Sequence, residues 1–158
     1  MTLASTVRTT VLAMHLSEDP DTMTAHNDGR VEVGNREYLV LTDDEADKAA
    51  RAAVEDSLWA FNASFILDHM EYGDANRARL EKSIGKMQEE LCEDAGPIVL
   101  AMIGGRAGFA KFADAAIGAD GRGHFLSSYD GEERRVKVPP MEGSAHTGVL
   151  VLYVYRVN

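Results

Sequence analysis

Apolar side chains recur every three or four residues for a long stretch after Thr42, and this spacing predicts a central helical segment over about residues 43–117. Thr42 and Glu45 have the spacing of a capping box, in which each side chain bonds the other residue's backbone N–H. Asn62 leaves two options open, a continuous helix or a break at which Asn62 caps a second segment. The first apolar stripe comprises Ala46, Ala50, Val54, Leu58, Phe61 and Phe65.

A stop and restart at Tyr72-Gly73-Asp74 precedes a second predicted helix, from Ala75 to about Glu93. Pro97 opens a third, and the apolar run 98–103 is expected to be buried. The glycine-rich segment 104–108 reads as a tight turn between helices, after which helical spacing continues to Gly118. The seam of the second helix comprises Leu80, Ile84, Met87 and Leu91.

Both ends of the chain carry strand patterns. The apolar pattern of residues 1–16 suits either a short helix or a strand, and the frequent Val and Thr favour a strand over Thr6–Met14. Residues 17–30 are predicted to be a surface loop. A hairpin follows, with Gly34-Asn35 as its two-residue turn and Glu37–Leu41 as its return strand.

Near the C-terminus we predict a strand over His124–Ser128, followed by an Asp-Gly hairpin turn and a returning strand over Arg134–Val138. Residues 141–146 are predicted to be a loop, and Gly148–Val157 a last strand. The order of strands, then helices, then strands favours a single α+β domain over residues 1–158. Its antiparallel sheet would combine the N-terminal hairpin with the C-terminal strands.

Charge and composition narrow the functional classes. The net charge of −10 argues against a nucleic-acid-binding face, which needs clustered Lys and Arg. It fits either solubility through self-repulsion or an acidic surface that docks on a basic partner. No stretch reaches the ~20 apolar residues that span a bilayer, and one cysteine fits a reducing cytoplasm.

The most suggestive polar segment is Asp120–Glu133, where a polar site would use Arg122, His124, Ser128 and Asp130. Strand alternation would put His124 and Ser128 on one face. A nucleophile here lacks the strained strand-to-helix elbow and has no identifiable oxyanion-hole donors, so a structural role is favoured and no catalytic residue is assigned. The histidine spacings support no metal site, and no cofactor is expected.

Two strings, EYLVLTDDEAD with SLWAFNASF and ADGRGHFLSSYDGEE with the ending YVYRVN, resemble a group of small uncharacterised proteins encoded by bacteriophages, prophages and other mobile elements. The resemblance covers roughly residues 30–158 and carries over no functional residues. It implies a context, since small acidic proteins of such elements often bind and block host defence components, as anti-CRISPR and antirestriction proteins do.

These observations lead to the hypothesis of a non-enzymatic binding protein in the cytoplasm of a bacterial host. Its partner would be a host protein or ribonucleoprotein complex with a basic surface. The rivals are a small enzyme that uses residues 120–133 and a protein that self-associates, for example as a homodimer, through the 80–91 seam. The acidic surface would comprise Asp43, Asp44, Asp47, Glu89, Glu90, Glu93 and Asp94.

Overall fold

The computed structural model describes residues 3–72, 74–140 and 148–158. The chain divides into two compact units, one formed by residues 1–50 with 120–158 and the other by residues 51–119. The α-helices are α1 Ser5–Leu16, α2 Asp43–Asp56, α3 Ala63–Leu67, α4 Arg77–Leu91, α5 Gly96–Met102 and α6 Gly105–Leu126. The strands are β1 Met23–Ala25, β2 Arg30–Val33, β3 Arg36–Leu41, β4 Arg134–Val138 and β5 Leu150–Arg156.

Over its described residues, the first unit contains a five-stranded sheet in the order β1-β2-β3-β5-β4, in which every neighbouring pair is antiparallel. The predicted hairpin is confirmed as β2 and β3, with Gly34 at a positive φ of 61° in the two-residue turn. Strand β3, in the N-terminal third of the chain, pairs with β5 near the C-terminus, from Tyr38 with Arg156 to Leu41 with Tyr153. The N-terminal hairpin and the C-terminal strands therefore do form one antiparallel sheet.

The predicted strand over Thr6–Met14 is wrong, because these residues belong to helix α1. Val11 and Leu12 are fully buried, and with Leu3 they join a core built on one face of the sheet. The strand propensity of Val and Thr is weak compared with this burial. The predicted loop over 17–30 also contains a short strand, β1, which adds an edge to the sheet.

The predicted strand over His124–Ser128 is wrong as well. Gly121 interrupts α6 with φ 78° and ψ 158°, and the chain then resumes one helical turn as far as Leu126. Strand β4 pairs with β5 and not with this segment, so the Asp-Gly signal at residues 130–131 marks a helix-to-strand turn rather than a hairpin. A β-carbon on Gly123 would lie 2.3 Å from the Gly131 carbonyl oxygen, so the turn needs glycine at this position. The predicted loop over 141–146 lies outside the described residues.

The capping box at the start of α2 is confirmed. The Thr42 amide donates to Glu45 Oε2 at 2.9 Å, and the Glu45 amide donates to Thr42 Oγ1 at 3.3 Å. Glu45 also accepts two bonds from Arg8 of α1, at 2.7 and 3.1 Å, and Arg8 donates to the Val40 carbonyl. Arg8 is only 1% exposed, and Glu45 is the one carboxylate that pairs with it among the described residues. Burial opposes the charge of Glu45, but the bonds from Arg8 and Thr42 lower the pKa of its carboxyl below the usual value.

The second unit is helical over its described residues. The helix is not continuous: α2 ends at Asp56, a 3₁₀ turn follows over Leu58–Ala60, and Asn62 then caps α3, since its Oδ1 accepts from the Ser64 amide at 3.0 Å. Phe61, Phe65 and His69 surround Phe112 of α6, each with its ring centroid 4.9 or 5.0 Å from that ring. Phe112 is fully buried, so this cluster is the aromatic part of the unit's core.

One expectation for the helices, the burial of residues 98–103, needs correction. The run 98–103 is only partly buried, since Ile98 is 40% exposed while Val99 and Ile103 lie in the core. The predicted seam of α4 buries Ile84 but leaves Leu91 39% exposed. A short α5 can bury only one side, which explains why an apolar run without polar residues is still half exposed. The stop predicted at residues 72–74 is followed by a 3₁₀ turn over Asp74–Asn76, and Gly73 lies outside the described residues.

The turn between α5 and α6 confirms the interpretation of the glycine-rich segment. Gly104 and Gly105 have φ values of 94° and 65°, which glycine adopts without strain. A β-carbon on Gly108 would lie 1.7 Å from the Ile103 carbonyl oxygen. The close contact between α6 and the end of α5 therefore requires a residue without a side chain at position 108.

The elements confirm the α+β class, with an antiparallel sheet and a central helical segment. Among the described residues, no helix is long and apolar enough to cross a membrane.

We expect Glu45→Ala to lower the free energy of unfolding by about 3 kcal/mol, because it leaves the buried charge of Arg8 without a partner and removes a helix cap. Urea unfolding would measure the change. The control is Glu32→Ala, which removes an exposed contact with His26 and should have little effect. Equal unfolding midpoints for the Glu45 variant and the unmodified chain would contradict this account.

Gly108→Ala should lower the free energy of unfolding by about 2 kcal/mol or more, because the new methyl group would overlap the Ile103 carbonyl. Gly118→Ala, in the same helix, is the matched control. Its β-carbon would meet no atom within 4 Å, so the change should be neutral or stabilise the helix by up to about 1 kcal/mol. Thermal unfolding should show a lower midpoint for Gly108→Ala and an unchanged or higher midpoint for Gly118→Ala; an equal decrease in both variants would refute the close approach.

Candidate functional site

The seven predicted acidic residues lie in two units. Asp43, Asp44 and Asp47 occupy the first turns of α2 in the first unit. The other four, Glu89, Glu90, Glu93 and Asp94, lie at the end of α4 and in the 3₁₀ turn Cys92–Ala95 of the second unit; we call these four residues the acidic segment.

Asp43 and Asp47 are held by one arginine. Arg122 Nη1 lies 2.8 Å from Asp43 Oδ1 and 2.9 Å from Asp47 Oδ1, and the Arg122 side chain is 12% exposed. The hydrogen bond from Arg122 holds the pKa of the Asp43 carboxyl below its usual value. Asp44 is exposed and has no such partner among the described residues. Arg122 therefore neutralises part of the negative charge at the start of α2.

Arg122 also organises the sheet face that carries Tyr153 and Tyr155. It forms two hydrogen bonds with the Glu133 carboxylate, at 2.7 and 3.1 Å, and its guanidinium carbon lies 4.3 Å from the Tyr153 ring centroid. The Tyr155 hydroxyl donates to the same carboxylate. Burial opposes the charge of Glu133, but the bonds from Arg122 and Tyr155 lower the pKa of its carboxyl. Burial, and then the bond to Glu133, raise the pKa of Tyr155.

Asp130 belongs to a second polar cluster. Its Oδ1 lies 2.6 Å from the Ser127 hydroxyl and accepts from the Glu132 amide at 3.1 Å, while its Oδ2 accepts from Arg134 at 2.7 Å. The bond from Ser127, followed by the bond from Arg134, holds the pKa of Asp130 well below its usual value. These bonds shape the turn between α6 and β4.

The structure therefore separates the four residues of the predicted alternative polar site. Arg122 joins the acids of α2, Asp130 joins the turn, and both His124 and Ser128 are exposed on the last helical turn and just after it. The predicted site omitted Ser127, Glu133, Arg134 and Tyr155, which take part in these clusters. Glu133 and Tyr155 gave no local signal, because Glu133 lies 11 positions from Arg122 and 22 positions from Tyr155.

The acidic segment differs from the start of α2. All four of its side chains are exposed, and the one ion pair found for them in the described residues joins Glu90 to Lys86, with the atoms 3.6 Å apart. A pair this long between exposed side chains holds little energy. The negative charge of this segment is therefore presented to solvent.

An open groove of about 490 Å³ lies beside the acidic segment, and we call it the Trp59 groove. Gln88 Nε2 donates to the carbonyls of Trp59 and Phe61, at 2.7 and 2.8 Å, and so ties the 3₁₀ turn Leu58–Ala60 to α4. The groove is lined by Trp59, Ala60, Phe61, Asn62, Ala63, Gly85, Gln88, Glu89 and Cys92. Most of these side chains are apolar or small, and Glu89 belongs both to the lining and to the acidic segment.

Across the described ranges, no group of three or more His, Cys, Asp or Glu side chains is placed to hold a metal ion. Fold and site thus define an acidic α+β protein with a five-stranded antiparallel sheet and an acid-flanked surface groove. No protein-family model, curated protein or solved structure matched the chain.

Arg122→Met should destabilise the protein near pH 7 by about 2 kcal/mol or more, because Asp43, Asp47 and Glu133 then face one another without their cation. Carboxyls whose pKa is lowered by folding stabilise the protein above their unfolded pKa, near roughly 4, and that stabilisation is lost as the pH falls through the folded pKa. The variant should therefore lose less stability on acidification below about pH 4 than the unmodified chain.

Urea unfolding at several pH values would test both statements. Arg106→Met is the control, since it removes an exposed pair with Glu55 and should change stability less at every pH. Parallel stability curves for the Arg122 variant and the unmodified chain would contradict the assigned role of Arg122.

Proposed function

We propose that this chain is a non-enzymatic binding protein of a bacteriophage or other mobile element, which inhibits a host defence complex by docking on its basic surface. It would act in the cytoplasm of the bacterial host, on an anti-CRISPR or antirestriction type of target. The observation that carries the proposal is the exposed, largely unpaired acidic segment at the end of α4.

Electrostatics favours this segment over the start of α2. A charge that already has a partner in the free protein must give up that partner to pair with another molecule. Asp43 and Asp47 share the Arg122 cation, whereas Glu89, Glu93 and Asp94 have no ion pair among the described residues. The acidic segment can therefore bind a cation at lower cost.

The overall charge of −10 supports the same function. A field of one sign raises the rate of encounter with a surface of the opposite sign and repels nucleic acid. A defence complex that binds nucleic acid must itself present a basic surface, so an acidic protein of this size is suited to occupy it.

Neutralising the acidic segment (Glu89→Gln, Glu90→Gln, Glu93→Gln and Asp94→Asn together) should abolish protection of phage on defended cells. It should also weaken capture of a basic, nucleic-acid-processing host component at least about tenfold, because several charge pairs are lost. Phage plating on defended and undefended cells, with affinity capture from host lysate at two salt concentrations, would measure both effects.

The matched control removes the same number of charges at exposed sites elsewhere, through Asp21→Asn, Asp56→Asn, Glu71→Gln and Asp120→Asn. It keeps the net charge of the test variant and should retain protection. Equal loss in both variants would attribute the effect to net charge alone. Full protection by the test variant would overturn the proposal.

A further inference from the structure

We infer that the Trp59 groove is the docking site for a large apolar side chain carried by a Lys- or Arg-rich segment of the protein partner. The inference rests on the proposed function and deepens it, since it specifies what the partner presents. A groove beside a charged segment can distinguish one basic surface from another, which charge alone does poorly.

The shape of the groove is set in the free protein. Both hydrogen bonds of the Gln88 amide nitrogen end on backbone carbonyls, at 2.7 and 2.8 Å, and they hold the Trp59 wall against α4. A site that is already ordered loses little conformational entropy when a ligand enters. Its volume of about 490 Å³ is large enough for an aromatic or branched aliphatic side chain.

The walls suit an apolar occupant. Trp59 is half-buried, so part of its indole remains accessible, and Ala60, Ala63 and Gly85 add small apolar surface around it. Half-exposed aromatic residues in a surface depression are typical anchors of protein–protein interfaces. A polar or charged occupant would lose its hydration against these walls.

The charge at the edge selects the class of partner. Glu89 lines the groove, and the other three residues of the acidic segment follow within five positions along the chain. Nucleic acid and anionic lipid would both be repelled by these carboxylates. A second copy of this chain would bring a second set of the same acids, so self-association at this face is also disfavoured. A basic protein segment remains as the complementary occupant.

The sequence provides two built-in probes of the groove. Trp59 is the only tryptophan and Cys92 the only cysteine of the chain, and both line the groove. Fluorescence of Trp59 therefore reports occupancy directly. Alkylation of the exposed Cys92 thiol with a bulky maleimide places an obstruction at the same site.

The test is a selection of displayed random peptides of about 12 residues against the full chain, followed by titration of the enriched peptides. We expect them to share one large apolar residue flanked by Lys or Arg, to shift Trp59 fluorescence, and to compete with one another. Alkylation of Cys92 should weaken their binding at least about tenfold. Failure to enrich such peptides, or binding without a change at Trp59, would overturn the inference.

Gly85→Met obstructs the groove without disturbing the fold. A β-carbon on Gly85 would meet no atom within 4 Å, and Met is a good helix former, so the unfolding midpoint should not fall. This variant should bind the peptides at least about tenfold more weakly. Gly118→Met is the matched control, because it makes the same change at an equally open helical position outside the groove lining, and it should bind normally.

The outcomes separate this inference from the proposed function. If Gly85→Met protects phage fully while the variant with the neutralised acidic segment does not, the groove is excluded and the acidic docking surface stands. If the variant with the neutralised acidic segment protects phage fully, the proposed function is wrong, whatever the groove binds. A concentration-dependent dimer in sedimentation that Gly85→Met dissociates would identify a second copy as the occupant and overturn the inference.

Discussion

The fold of the first unit depends on one ion pair, between the buried Arg8 and the partly buried Glu45. Arg8 is 1% exposed, and its guanidinium bonds both the Glu45 carboxylate and the Val40 carbonyl. The same carboxylate caps α2 through the Thr42 amide. Helix α1, the end of β3 and the start of α2 are thus joined at a single charge. A buried cation without its anion is costly, so any arrangement that separates these elements is penalised. The pair defines where α1 lies on the sheet more strictly than apolar contacts alone.

A second arginine organises the polar side of the same unit, and this changes where function is sought. Arg122 gathers Asp43, Asp47 and Glu133, and its guanidinium lies over the Tyr153 ring. Of the residues predicted to form a polar site, Arg122 and Asp130 are therefore bonded to other partners within the protein. The pKa values of the Asp43 and Glu133 carboxyls are lowered by their bonds to Arg122. Structural ion pairs shift pKa values just as active sites do, so these shifts do not indicate catalysis. In the second unit, by contrast, Glu89, Glu93 and Asp94 of the acidic segment are exposed and have no ion pair among the described residues.

The acidic segment and the Trp59 groove complement each other physically. Exposed carboxylates act over several ångströms and accelerate encounter, but they discriminate weakly among basic surfaces. An apolar groove acts only at contact and discriminates by shape. Glu89 belongs to both features, so a partner that fills the groove must also satisfy a carboxylate. Binding strength and selectivity would then come from one small surface.

Features that depend on near neighbours could be predicted from the sequence. The capping box, the Gly34 turn and the glycine turn before α6 follow from residues within a few positions, and they are confirmed. Of the predicted helical stripe, Ala46, Ala50 and Val54 lie in α2, which ends at Asp56. Tertiary structure decided the rest. The Val and Thr residues of α1 favour a strand by local propensity. Burial of the helix against the sheet and the contact of Arg8 with Glu45 stabilise a helix instead. His124–Leu126 forms a helical turn because Gly123 packs against the Gly131 backbone. The sequence also could not show which acidic residues are paired within the protein. Arg122 lies 79 positions from Asp43 and 75 positions from Asp47, and no local pattern predicts a contact at that separation.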